Sequence, residues 1–242
     1  ESIHLMDKDF DLVYHLAALS RIQPSFKIPG ETFRVNTTGT QEVCEFAKNT
    51  KAKVVYSGSS SRHHNPHISP YACYKHLGEE ICKMYRTSFG VDIEIARFYN
   101  VYGPYHLKEG AYCTVIGKWE TAYENNKPLT IYGDGSQTRS FCYIDDLVNG
   151  LVKLMQSKDN SIGPINLGNP NEMPILDLAK LILELTKSKS KIKFLNLPTD
   201  DPKQRKPSIE KAKKDLGWVP SVDIKDGLLE TISYFTSVLK SA

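Results

Sequence analysis

Residues 54–75, VVYSGSSSRHHNPHISPYACYK, gather the side chains best suited to moving a proton. Tyr71 and Lys75 are four residues apart, and positions i and i+4 share one face of a helix. An ammonium beside a phenol favours the phenolate. It draws a group that ordinarily titrates near ~10 toward neutrality, where a general base works best. Ser57, Ser59, Ser60 and Ser61 add hydroxyls to the same region if the chain folds back at once. The spacing alone is a weak signal. The chain has 13 tyrosines, and Tyr123–Lys127 repeats the four-residue step within TAYENNKP, where it reads as a surface helix pair. The order strand, serines, loop, Tyr, Lys is what sets the first pair apart.

The elements that must position these residues follow from periodicity. DLVYHLAA at 11–18 is a short apolar run ending in small residues, expected as a strand buried on both faces. Residues 29–49 read as a helix, AKVVYSG as the next strand, and 71–89 as the helix carrying Tyr71 and Lys75. That last helix has an apolar stripe of Cys73, Leu77, Ile81 and Met84. VDIEIARF at 91–98 is a further strand. Strands alternating with helices of more than ten residues specify an α/β fold with a parallel sheet. Beyond YNVYGP at 99–104 the pattern loosens. A helix at 113–125 precedes LTIY and SFCYI, two short strands flanking a Gly/Asp/Ser turn. Helices at 145–156 and 174–187 and strands at 164–168 and 191–195 follow.

Composition narrows the class. With 242 residues, 40% hydrophobic and 24% charged, the chain is that of an ordinary globular protein. There is no apolar run of membrane-spanning length and no leader pattern. A net charge of +3 gives no argument for nucleic acid, and the basic run from Lys203 to Lys214 is offset by Asp200, Asp201, Glu210 and Asp215. Five scattered cysteines fit reduced thiols in the cytoplasm better than a disulfide framework or a zinc site. Cys73 reads as packing on another helical face. His63, His64 and His67 match no strong zinc spacing, so no metal is expected and the loop is read as a polar cover over a pocket.

A series of motifs then carries a family likeness. HLAA at 15–18, VNTTGT at 35–40, SGSSS at 57–61, YACYK at 71–75, RFYNVYGP at 97–104, GDGSQTRSFCYIDD at 133–146, NLGNP at 166–170 and RKPSIEKAKKDLGW at 205–218 occur in order. The chain resembles the extended short-chain dehydrogenase/reductase family of NAD-dependent nucleotide-sugar epimerases and dehydratases. The resemblance implies a Rossmann-type parallel sheet with a smaller C-terminal α/β part that binds the substrate. Residues 1–104, with 138–168 returning to them, would form the remainder of the NAD-binding domain, and 105–242 mainly the sugar-nucleotide part. One departure stands out. The family opens with strand–GxxGxxG–helix, whose helix N-terminus holds the NAD pyrophosphate. That motif is missing, which leads us to expect an N-terminally incomplete copy lacking two βα units, about 60 residues at about 30 each. The strand at 11–16 would then form a bare sheet edge.

The resemblance also implies site roles. Tyr71 takes the proton of the sugar 4-OH, Lys75 lowers the Tyr71 pKa and holds the nicotinamide ribose, and Ser59 hydrogen-bonds O4. Leu16, Ala17, Ala18, Asn36 and Ser57 complete the cofactor side. Asn100, Thr130, Tyr132, Arg139 and Arg205 bind the sugar nucleotide, the arginines through its phosphates. Ser208 replaces an Asp frequent in the family. A homodimer through helices 29–49 and 71–89 is implied too, with Phe33, Val43, Phe46, Ile81, Met84 and Tyr85 as its apolar positions.

Members of the family differ in the fate of the 4-keto sugar. Dehydratases carry Asp-Glu directly after the catalytic Ser/Thr, and UDP-glucuronate decarboxylases a Glu two residues after it. Here these positions are Ser60 and Ser61, which offer no carboxylate. That favours C4 epimerisation of a UDP-hexose, UDP-glucose/UDP-galactose. The alternatives are UDP-glucuronate decarboxylation, favoured by the C-terminal motifs, and another dehydratase or reductase. Of a different class are a sugar-nucleotide-binding domain without turnover and an inactive fragment.

Overall fold

The computed structural model describes residues 10–63, 65–157, 163–197 and 206–240. The chain divides into two compact units. The first comprises Glu1–Phe98, Asn149–Leu167 and Ile209–Trp218; the second comprises Tyr99–Val148, Gly168–Ser208 and Val219–Ala242.

The first unit is built on a parallel sheet. Strands Leu12–His15 (β1), Lys53–Ser59 (β2) and Ile93–Phe98 (β3) lie in the order β1-β2-β3, and a later strand, Ile165–Leu167, pairs with β3 on the far side. Val54, Val55 and Tyr56 are all buried, as expected of a central parallel strand covered on both faces. β1 departs from expectation. Only His15 is buried, Tyr14 is exposed, and the strand stops before Leu16. Among the described residues β1 pairs with β2 alone, so one row of its backbone groups and one side of its side chains lack a strand neighbour.

Helices Ile22–Lys27 (α1), Pro29–Phe33 (α2), Gly39–Thr50 (α3) and Pro70–Phe89 (α4) accompany this sheet. The single helix expected at 29–49 is interrupted by a wide π turn at Arg34–Thr38. Such turns recur at functional positions, and this one carries Asn36. α4 has a sharp start and stop. Ser69 caps it by accepting the Ala72 N–H at 3.3 Å, Pro70 occupies its first turn, and Gly90 closes it in the left-handed region at φ 67°. Its buried face is Ala72, Lys75, Gly78, Glu79, Cys82 and Tyr85. Cys82 and Tyr85 join Val43, Cys44, Val54, Ile93 and Ile95 in the core, whereas Lys75 and Glu79 bring charge to the same face. Gly78 is required because a Cβ there would collide with the Tyr56 hydroxyl.

Among the described residues, the second unit contains three strand pairs. Val101–Tyr102 (β4) runs parallel to Cys142–Tyr143 (β7), Leu129–Tyr132 (β5) parallel to Ile192–Leu195 (β10), and Thr138–Ser140 (β6) antiparallel to Glu172–Pro174 (β9), with Ile165–Leu167 of the first unit numbered β8. The strands flanking the Gly133–Ser136 turn thus each pair elsewhere and not with one another. Helices Val115–Glu124 (α5), Ile175–Thr186 (α7) and Ile224–Lys240 (α9) enclose a core of Trp119, Leu129, Ile131, Phe141, Leu178 and Leu228. The helices numbered α6, Ile144–Gln156, and α8, Glu210–Leu216, complete the chain. The surface pair expected at Tyr123 and Lys127 does not form. α5 ends at Glu124, and Tyr123 packs half-buried against this core. None of the five cysteines is in a disulfide, and no described helix is long and apolar enough to cross a membrane.

Candidate active site

The site of the first unit lies where β2 ends, the chain makes a short 3₁₀ turn at Ser60–His63, and α4 begins. Tyr71 occupies the first turn of α4. Its backbone N–H donates to Ser25 Oγ at 3.1 Å, tying α4 to α1. Its hydroxyl contacts Ser59 Oγ at 3.2 Å. One turn further on, Lys75 is buried and its Nζ donates to the Ser57 carbonyl at 2.7 Å, with Ser57 Oγ at 3.4 Å. The same ammonium lies over the Tyr56 ring, 5.0 Å from its centroid. Ser57, Ser59, Tyr71 and Lys75 are therefore linked across one strand–turn–helix junction.

Burial lowers the Lys75 ammonium from 10.5 to about 8, with Cys82 and Glu79 opposing that shift. It remains mostly charged at neutral pH and can hold a phenolate on its own face of the helix. His15 stands beside it at the end of β1. Burial first, and the Lys75 charge second, take its imidazole down to about 4. His15 is thus neutral, with Nε2 3.0 Å from Thr40 Oγ1 and its ring 5.6 Å from that of Tyr56.

Leu16 and Ala17 are exposed and Ala18 half-buried, just past the His15–Tyr56 register pair. Asn36 is almost wholly buried, and its amide is engaged at both ends. Oδ1 accepts the Leu19 N–H at 2.8 Å and Nδ2 donates to the Leu19 carbonyl at 3.0 Å. Its side chain fixes the loop that follows β1.

The sequence reading did not single out Glu79 and Arg97. Glu79 lies two turns after Tyr71 on the same face, and the i, i+4, i+8 series Tyr71, Lys75, Glu79 was the available signal. Arg97 on β3 grips Glu79 with two bonds, Nε to Oε1 at 2.9 Å and Nη2 to Oε2 at 2.6 Å. Gly58 permits this. A Cβ at 58 would stand 2.8 Å from Glu79 Oε1 and 3.1 Å from Arg97 Cγ.

The other candidate residues lie in the second unit. Asn100 adopts a left-handed backbone, φ 36°, and its Nδ2 donates to the Ser140 carbonyl at 2.8 Å. On β5, Leu129 and Ile131 point into the core while Thr130 and Tyr132 face the other way, Tyr132 being 42% exposed. Arg139 is buried on β6, with Nη1 donating to the Thr138 carbonyl at 2.7 Å. Arg205 and His64 lie outside the described residues. His67 and the half-buried Cys73 line a groove of about 320 Å³ with Phe26, Ile68 and Tyr74.

Comparison with known proteins gives consistent findings at the level of family and divided ones at the level of reaction. The model of the NAD dependent epimerase/dehydratase family matches residues 2–168. The chain is 38% identical over 250 residues to UDP-glucuronic acid decarboxylase 1 of Danio rerio, aligning 96% of itself with 59% of that protein. It therefore spans about three-fifths of that relative's length. Among solved structures, it superposes with TM-score 0.89 and 31% identity on the UDP-glucuronic acid 4-epimerase of Bacillus cereus in complex with UDP-glucuronic acid and NAD, covering 98% of this chain and 81% of that one. It superposes with TM-score 0.90 and 28% identity on the UDP-N-acetylglucosamine 4-epimerase of Methanobrevibacter ruminantium M1, covering 98% of this chain and 82% of that one.

Proposed function

The chain belongs to the NAD dependent epimerase/dehydratase family, and from that premise we propose that the protein inverts C4 of a UDP-hexose through a 4-keto sugar. The observation that carries this reading is the turn at 59–61. Ser60 and Ser61 are buried beside Ser59, and Ser61 Oγ donates to Ser59 Oγ at 2.9 Å. No carboxylate occupies these positions. Elimination or decarboxylation moves a second proton near C5 or C6, and a serine hydroxyl is a poor substitute for an acid that titrates near neutrality. Removing hydride from C4 and returning it to the other face needs only one base at O4.

Lys75 suits NAD. An ammonium has three hydrogens, and two of its directions are taken by Ser57 O and Oγ. The third fits a ribose hydroxyl, while the exposed residues Leu16 and Ala17 leave room for the rest of the nucleoside. A bound nicotinamide supplies reversible hydride exchange with C4. The chain's residues do the remaining work. Tyr71 takes the O4 proton as phenolate and returns it after the sugar turns over. Ser59 orients O4, and Lys75 keeps the phenolate stable. Asn100, Thr130, Tyr132, Arg139 and Arg205 are assigned to the sugar nucleotide.

A second reading, decarboxylation of UDP-glucuronate, has the Danio rerio relative in its favour. Proton NMR of the anomeric signals decides between the two, with full-length protein, NAD⁺, and UDP-glucose or UDP-glucuronate in parallel tubes. Epimers forming in either tube support the proposal. UDP-xylose from UDP-glucuronate overturns it.

We also propose that two copies pair through α2 to α4. Phe33, Leu77 and Met84 are 43%, 38% and 43% exposed and supply the apolar contact. Val43, Phe46 and Tyr85 are already spent in the unit's own core, at 8%, 4% and 3% exposure.

A further inference from the structure

Three hydrogen-bonding groups converge on one oxygen at the end of β2. Ser61 Oγ reaches Ser59 Oγ at 2.9 Å, the Ser61 backbone N–H reaches it at 3.2 Å, and Tyr71 Oη at 3.2 Å. A hydroxyl oxygen has two acceptor sites and one hydrogen to give. A neutral Tyr71 phenol that donates puts three hydrogens on two lone pairs, and one that accepts from Ser59 must turn its own hydrogen to another group. A phenolate is a pure acceptor of the Ser59 hydrogen and needs neither adjustment, and a hydrogen bond to the charged form favours that form. The Ser61 N–H and O–H fill both lone pairs, and the Ser59 hydrogen points at the phenolate. Ser59 and Ser61 are 7% and 2% exposed, so bulk water does little to relieve a mismatch.

We infer that Ser61 is a positioning residue that fixes the Ser59 hydroxyl as a donor and thereby favours the phenolate of Tyr71. This rests on the reading of Tyr71 as the base. An O–H that accepts hydrogen bonds is itself a stronger donor, so Ser61 acts on Tyr71 through Ser59. The other groups facing this junction are Lys75 and Glu79 on α4, Tyr56 on β2, His15 on β1 and Arg97 on β3. None of them is replaced when residue 61 changes.

The test uses the full-length protein without substrate. Tyrosinate absorbance is titrated with pH, and the Tyr71 step is isolated as the difference from the Tyr71→Phe protein in each background. In Ser61→Ala the midpoint of this step should rise by about half a unit to one unit, the worth of one hydrogen bond. Ser61→Thr, which keeps the hydroxyl, should restore it. If Ser61→Ala does not fold, Ser61→Cys replaces it, since its thiol is a weak donor and should give a rise in the same direction. An unchanged midpoint in Ser61→Ala, or an equal rise in Ser61→Thr, overturns the inference while leaving Tyr71 as the base. A Tyr71→Phe difference showing no step near neutrality overturns both.

Discussion

Replacing Arg97 by Leu should destabilise the first unit more than replacing its partner does. The Glu79 side chain is 1% exposed, and that of Arg97 14%. Removing Arg97 deletes bonds of 2.9 and 2.6 Å to a carboxylate that water does not reach. Losing one partner of a buried pair typically costs ~3–5 kcal/mol. At about 2–4 °C per kcal/mol for a chain of this size, the melting temperature should fall by about 6–20 °C. Glu79→Leu leaves a guanidinium on a longer stem that can turn toward solvent, so its cost should be smaller, about 1.5–3 kcal/mol. The double variant should recover much of the loss, because the buried carboxylate is removed together with its guanidinium. Urea unfolding of the three variants followed by circular dichroism reads all the terms. Equal losses for the two single variants, or a double variant as unstable as their sum, would refute the reasoning.

Three further outcomes follow from the same geometry. Tyr71→Phe should lower turnover by ~10²–10⁴ while nucleotide binding, read by calorimetry, stays near wild type; full activity in the variant removes the catalytic assignment. His15 has its pKa lowered from 6.5 to about 4, so the unfolded chain binds the extra proton between those values. Its stabilising contribution is complete above about pH 6.5 and is lost as the pH falls toward 4, and His15→Gln should flatten unfolding free energy over that window by up to about 3 kcal/mol. Met84→Asp should convert a dimeric mass to a monomeric one in light scattering without loss of helix content, whereas a wild-type monomer at micromolar concentration counts against the pairing.

Much of the first unit was legible in the sequence because its signals are local. A run of Val54, Val55 and Tyr56, then serines, then Ser69-Pro70 ahead of an apolar stripe, specifies strand, turn and helix by period and capping alone. The four-residue step from Tyr71 to Lys75 fixes a shared face without tertiary information. The partners that complete the site were not legible, because they depend on contacts distant in sequence. Arg97 finds Glu79 only once β3 lies beside β2. Asn36 of VNTTGT bonds Leu19, which lies on a loop that periodicity does not place. The π turn at Arg34–Thr38 has no breaker to announce it, and β4 and β9 are too short to show a period. The pair expected of Tyr123 and Lys127 fails because α5 stops at Glu124, within the polar ENN sequence.

The central claim is that hydride leaves C4 and returns to C4 while Tyr71 handles the O4 proton alone. The direct measurement is product analysis by NMR and mass spectrometry after turnover of UDP-hexose deuterated at C4, with the companion reaction of unlabelled substrate run in D₂O. The account predicts that the C4 label is retained in both epimers and that no solvent deuterium enters at C5 or C6. Loss of the C4 label, or solvent deuterium at C5, would contradict it.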